Sequence, residues 1–199
     1  MKKKSKRPFH VAFFGDAHIP QKDPVFVDAF DCSQLLAQKK CTILNGGGPG
    51  IMLASTLGAK SVQGRVELVV IDPKNEPKNN YEGQSPKNIS LANRIFTLKS
   101  YQGRINKLIK LSDAYVIFYG GTGTLAEMAY VWSKAKFAYP HQRPLIFFGK
   151  KWRKIISTLS RELNLEKIEQ KICFFANSPD DVLKILSNFF KNKTDSYSK

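Results

Sequence analysis

Glu127 stands three residues after Thr124, directly behind the run Tyr119-Gly120-Gly121-Thr122-Gly123. Glycines at such a density let backbone N–H groups approach an anion closely, and the hydroxyls of Thr122 and Thr124 add donors. A carboxylate one turn further faces back towards the loop, where it can orient or deprotonate a water. The same Thr-x-x-Glu spacing is also a helix capping box, in which Glu127 merely satisfies a backbone N–H. Arg104 carries a parallel ambiguity. It can deliver a cation to an anionic ligand, or form an exposed basic stripe with Lys107 and Lys110. An earlier run, Gly46-Gly47-Gly48-Pro49-Gly50, offers Gly47, Gly48 and Gly50 as a second cradle or as a close-packed turn. Asp16, after Gly15, can contact a sugar hydroxyl or cap the segment that follows it.

Two nucleotide fingerprints fail on these loops. Gly121-x-Gly123-x-x-Ala126 satisfies the dinucleotide pattern, but the next strand ends in Gly149-Lys150, without the acidic residue that holds a ribose. Neither glycine run ends in the Gly-Lys-Ser/Thr of a P-loop. Nicotinamide chemistry and ATP hydrolysis are therefore not indicated.

The elements that must position these residues alternate regularly. Short apolar runs at Val11–Phe14, Cys41–Leu44, Val66–Ile71, Asn93–Leu98, Ala114–Phe118, Pro144–Phe148 and Ile172–Phe175 suit strands, most of them buried on both faces. Helical patterns run from Asp23-Pro24 to Lys39-Lys40, after Gly50, over Tyr101–Leu111, from about Gly123, from Trp152, and over Pro179–Phe190. The stretch Asp72–Asn88, rich in Pro, Asn and Lys, is expected to be a long surface loop. The alternation predicts an α/β, Rossmann-like, doubly wound sheet of about six to seven mainly parallel strands with helices on both faces. Ligands of such sheets bind outside the carboxyl ends of the strands, where both glycine loops fall. One domain is expected over 1–190, with a basic tail at 1–7 and a frayed tail at 191–199.

Composition narrows the function classes. A 42% hydrophobic fraction over 199 residues is globular. No apolar run reaches the ~18 residues of a membrane span, and no signal-type segment follows the basic start, so a cytoplasmic protein is expected. Cys32, Cys41 and Cys173 lack metal or disulfide spacing. The net charge of +16 favours anionic partners without choosing among nucleotides, nucleic acids and acidic surfaces.

On these residues the chain resembles the LONELY GUY-type nucleotide phosphoribohydrolases, long labelled lysine decarboxylases. The family carries Pro-Gly-Gly-x-Gly-Thr-x-x-Glu, matched from Gly120 to Glu127, with Tyr119 in place of the proline. Gly46 to Met52 repeats the family's Gly-Gly-Gly-Pro-Gly-Ile-Met, and Arg104 precedes Asp113-Ala114 by the family's nine residues. Ile105 replaces a common lysine, and Gln102 replaces the histidine of plant-type members. The resemblance implies hydrolysis of the N-glycosidic bond of a nucleoside 5′-monophosphate, giving free base and ribose 5-phosphate. It further implies that Gly120–Thr124 hold the phosphate, with Glu127 and Arg104 as the catalytic pair, no cofactor, no metal, and a homodimer. Molybdenum cofactor carrier proteins are similar in fold and loop and offer a non-catalytic alternative. A third is the DNA-processing type of single-strand DNA-binding Rossmann protein, less favoured because its stacking aromatics cannot be placed on one surface.

Overall fold

A computed structural model describes residues 8–75, 83–139 and 143–195, the last five of these by backbone alone. The strands are β1 (His10–Phe14), β2 (Thr42–Asn45), β3 (Arg65–Ile71), β4 (Arg94–Leu98), β5 (Ala114–Ile117), β6 (Leu145–Phe148) and β7 (Cys173–Ala176). The helices are α1 (Pro24–Gln38), α2 (Ile51–Ser61), α3 (Pro86–Leu91), α4 (Tyr101–Leu111), α5 (Thr122–Phe137), α6 (Lys151–Glu162), α7 (Lys167–Lys171) and α8 (Pro179–Asp195). All seven strands pair in parallel in the order β4-β3-β2-β1-β5-β6-β7. The expected Rossmann-like α/β sheet is the observed one.

The alternation of β1 shows how the two layers form. Val11 and Phe13 enter a core closed by Phe26 and Leu36 of α1, Ile51 of α2 and Leu186 of α8. Ala12 and Phe14 enter the opposite core, with Leu108 of α4, Met128 and Val131 of α5 and Trp152 of α6. Both faces of the strand are covered, which is why His10–Phe14 reads as a continuous apolar run rather than an alternating one. β1 pairs with both β2 and β5, so the chain leaves β1 towards one edge and β5 towards the other. The crevice at this switch of direction lies above the carboxyl ends of β1 and β5.

Local signals account for most helix starts. Asp23 caps α1 by accepting from the N–H of Val25 at 2.8 Å, with Pro24 at the first helical position. Ser100 caps α4 by accepting from the N–H of Gly103. The same signal corrects one expectation. Ser85-Pro86 starts α3, so residues 86–88 are helical rather than loop, and Pro73–Asn75 form a single 3₁₀ turn. Residues 76–82 of that expected loop, like the tail at 1–7, lie outside the described residues. α8 continues to Asp195, past Phe190 where the helical pattern is expected to end, and residues 196–199 of the expected tail lie outside the described residues. α7 was not expected; it is started by a capping box between Glu166 and Glu169. No helix among the described residues is long and apolar enough to cross a membrane.

Candidate functional site

The loops after β1, β2 and β5 meet in one knot. The Asp16 N–H donates to the Tyr119 carbonyl, and the Ile51 N–H donates to the Asp16 carbonyl, both at 2.9 Å. A Cβ on Gly120 would overlap the Thr124 hydroxyl and sit 2.9 Å from the Asp16 nitrogen. Gly50, at φ 59°, passes so close to Ala17 that a Cβ would lie 2.6 Å from its carbonyl carbon. These glycines are required by the close approach of three backbones.

Gly121 is different. It is exposed, its φ of −81° suits any residue, and a Cβ there would meet nothing within 4 Å. It is also the N-cap of α5 and supplies no side-chain cap, so the first N–H groups of the helix, from Thr122 to Thr124, point out of the helix end without that partner. An open approach, free donors and the positive end of the helix dipole coincide at this point. Gly120, Gly121 and Thr122 are exposed there, whereas Thr124 is buried beneath them.

Because the helix starts at Thr122, Thr124 is its third residue and the Thr-x-x-Glu spacing does not form a capping box. Glu127 instead turns inward and lies 3.7 Å from the Arg104 guanidinium, both side chains about nine-tenths buried. Arg104 is not part of an exposed stripe either. Its Nε donates to the Val69 carbonyl at 3.2 Å, and its guanidinium carbon lies 5.7 Å from the Tyr101 ring centre. A Cβ on Gly46 would overlap its Nη2, so that glycine forms the wall behind the arginine. Gly46, Met52, Tyr101, Arg104, Gly123, Thr124 and Glu127 enclose a cavity of about 10 Å³, room for roughly one water.

The second glycine run is arranged otherwise. The N–H of Gly47 donates to Asn45 Oδ1, and that of Gly48 faces the Met52 sulfur at 3.4 Å. Asn88 Nδ2 donates to Asn45 Oδ1 and to the Gly48 carbonyl, while its Oδ1 accepts from Thr56 at 2.6 Å. The loop is thereby fixed by a buried amide network, and Gly47 and Gly48 spend their donors inward. Asp16 accepts from the N–H of His18 at 2.8 Å, a local turn, while its backbone ties the knot above. The structure thus brings Gly120–Thr124, Glu127 and Arg104 together, and sets Gly47, Gly48 and Gly50 behind them as support.

Sequence reasoning missed Gly46, Met52, Tyr101 and the Asn45–Asn88 pair. Gly46 was within the glycine run, but no spacing signals which glycine an arginine 58 positions later will lean on. Tyr119, the departure from the family proline, has a local reason. Its hydroxyl accepts from the Lys151 N–H at 2.6 Å and its ring stacks on Trp152, tying the glycine loop to the start of α6.

A parallel sheet with its glycine loop at the switch of direction defines a Rossmann-like α/β protein. The chain belongs to the SLOG cluster4 family, whose sequence profile matches residues 8–180. An uncharacterised protein of Archaeoglobus fulgidus is 28% identical over 121 residues, 61% of this chain and 73% of that one. The fold is similar to the molybdenum cofactor binding protein of Rippkaea orientalis (20% identity, TM-score 0.67, 94% of this chain and 99% of that one). It is also similar to the molybdenum cofactor carrier protein of Chlamydomonas reinhardtii (16%, 0.66, 93% and 99%). A further likeness is to the single-stranded-DNA-binding DNA processing protein A of Helicobacter pylori (15%, 0.59, 91% and 81%).

Proposed function

We propose that the chain is a nucleotide phosphoribohydrolase, which cleaves the N-glycosidic bond of a nucleoside 5′-monophosphate at this crevice. The observation that carries the reading is the buried Arg104–Glu127 pair lying directly beneath the uncapped N-terminus of α5. A capping box does not account for the carboxylate, because α5 starts at Thr122 and its N-cap is Gly121, and burying a charge pair stabilises little by itself. A 5′-phosphate at the N–H groups of Gly121–Thr124 would bring a ribose over Glu127. Water then adds to C1′ as the glycosidic bond breaks, the base departs with the bonding electrons, and a proton passes to it. Glu127 orients the water, takes its proton and faces the positive charge that develops on the sugar. Arg104 contacts the phosphate or the departing base. Since the cavity between the two side chains holds only about 10 Å³, the pair must part when the nucleotide enters. A cytoplasmic homodimer needing neither cofactor nor metal belongs to this reading.

That narrow cavity also favours a second reading, a carrier that binds a phosphorylated ligand at the loop and never admits it to the pair. Incubation with AMP, CMP, GMP and a cytokinin nucleotide, followed by assay of free base and ribose 5-phosphate, separates the two. Release from at least one nucleotide, abolished in Glu127→Gln, supports the hydrolase. Nucleotide binding without base release from any of them refutes it in favour of the carrier.

A further inference from the structure

α4 and α5, which carry Arg104 and Glu127 near their N-terminal ends, flank a second cavity further along their length. Its volume is about 540 Å³, within the range of small-molecule sites, and it shares no lining residue with the glycine-loop crevice. Asn106 and Lys110 come from α4, Tyr130 and Lys134 from α5, Tyr115 from β5, and Arg143 from the segment before β6.

The charge around this cavity has one sign. Lys110, Lys134 and Arg143 arrive from three separate elements, and among the described residues no acidic side chain lines the cavity and no carboxylate is in ion-pair contact with any of the three. The polar groups between them are already oriented. Arg143 Nη1 donates to the Ile109 carbonyl and to the Tyr115 hydroxyl, the latter at 3.4 Å, which anchors the guanidinium at the cavity wall. Tyr130 donates its hydroxyl to Asn106 Oδ1 at 2.8 Å, which occupies the amide oxygen and leaves the amide nitrogen as the donor end. Two ammonium groups, a guanidinium and an amide form a set composed of donors, which suits an acceptor-rich ligand. Val131, Ala135 and Ala138 supply an apolar strip beside the Tyr130 ring, where a flat ring can lie.

The geometry points to a second ligand site between α4 and α5 for a phosphate-bearing small molecule of nucleotide size with two or more negative charges. The site stands apart from the glycine loop and does not depend on the hydrolase reading. A ligand there contacts the two helices that hold Arg104 and Glu127.

The test is calorimetric titration of the full chain with ADP and with pyrophosphate, in the Gly121→Ala background so that the glycine loop is crowded. ADP is expected to bind at one site per chain. Lys110→Ala with Lys134→Ala should weaken it at least about ten-fold, each lysine contributing a charge-assisted contact. Both lysines are exposed on helix surfaces, so the fold is retained. A control with Lys22→Ala and Lys39→Ala removes the same charge elsewhere and should leave affinity within about two-fold. The inference is overturned if neither ligand binds, if the control weakens binding as much, or if cross-linking through Lys134 shows the cavity covered by a second copy of the chain.

Discussion

Gly46→Ala probes Arg104 by steric displacement alone, leaving every charge in place. The added methyl overlaps Nη2 and lies 2.7 Å from the guanidinium carbon, where ordinary contact begins near 3.4 Å. The carbon must therefore retreat by about 0.7 Å, and Nη2 by more. The obstacle is the far end of a flexible side chain, so the backbone of the glycine run need not move. What is lost is the Nε donation to the Val69 carbonyl, at 3.2 Å, and part of the 3.7 Å approach to Glu127. A hydrogen bond to a charged group is worth about 1.5–3 kcal/mol, and partial retention brings the expected destabilisation to about 1–2 kcal/mol. For a chain of this size that lowers Tm by roughly 2–8 °C. On the hydrolase reading the rate falls far more, because a misplacement of about 1 Å in a positioning group costs on the order of 10²-fold. Differential scanning calorimetry and the base-release assay measure the two effects on one sample. Unchanged Tm together with unchanged turnover would refute the placement of Arg104 against Gly46 and its part in the reaction.

Four further outcomes are expected. Gly121→Ala should leave stability within about 0.5 kcal/mol, since the new carbon meets nothing, yet weaken nucleotide binding measurably by isothermal titration; undiminished binding would remove the loop from the phosphate site. On the hydrolase reading, Glu127→Gln should cut turnover by about 10²- to 10⁴-fold in a steady-state assay while the far-ultraviolet spectrum stays native. Asn88→Ala removes bonds to Asn45, Thr56 and Gly48, and should cost about 2–4 kcal/mol in urea melts and speed amide exchange at Gly47 and Gly48. Burial pushes the thiols of Cys41 and Cys173 from an ordinary 9.0 up to about 12. Their neutral forms favour the folded state fully below pH 9, and that contribution is lost as pH rises from 9 towards 12. Thermal melts should fall over that window, less steeply in a Cys41→Ala, Cys173→Ala variant.

The apolar runs and capping signals of this sequence suffice for its strands, most of its helices and the parallel sheet they build. Periodicity and capping are local properties, encoded within a few neighbouring residues such as Asp23-Pro24 or Ser85-Pro86. Even α3 and α7, which were not anticipated, begin on local signals of that kind. The position of the glycine loop was legible for the same reason, since a glycine-dense run after a buried apolar stretch marks the turn from β5 into α5. What Glu127 and Arg104 face was not legible. Spacing allowed a capping box and an exposed stripe, and only the start of α5 at Thr122 and the placing of α4 and α5 on one face of the sheet made them a buried pair. The inward donor of Gly47 likewise depends on Asn45, which is held in turn by Asn88, 43 residues further on. Contacts across such separations follow from strand order and helix packing, which bring together segments whose local sequences carry no information about one another.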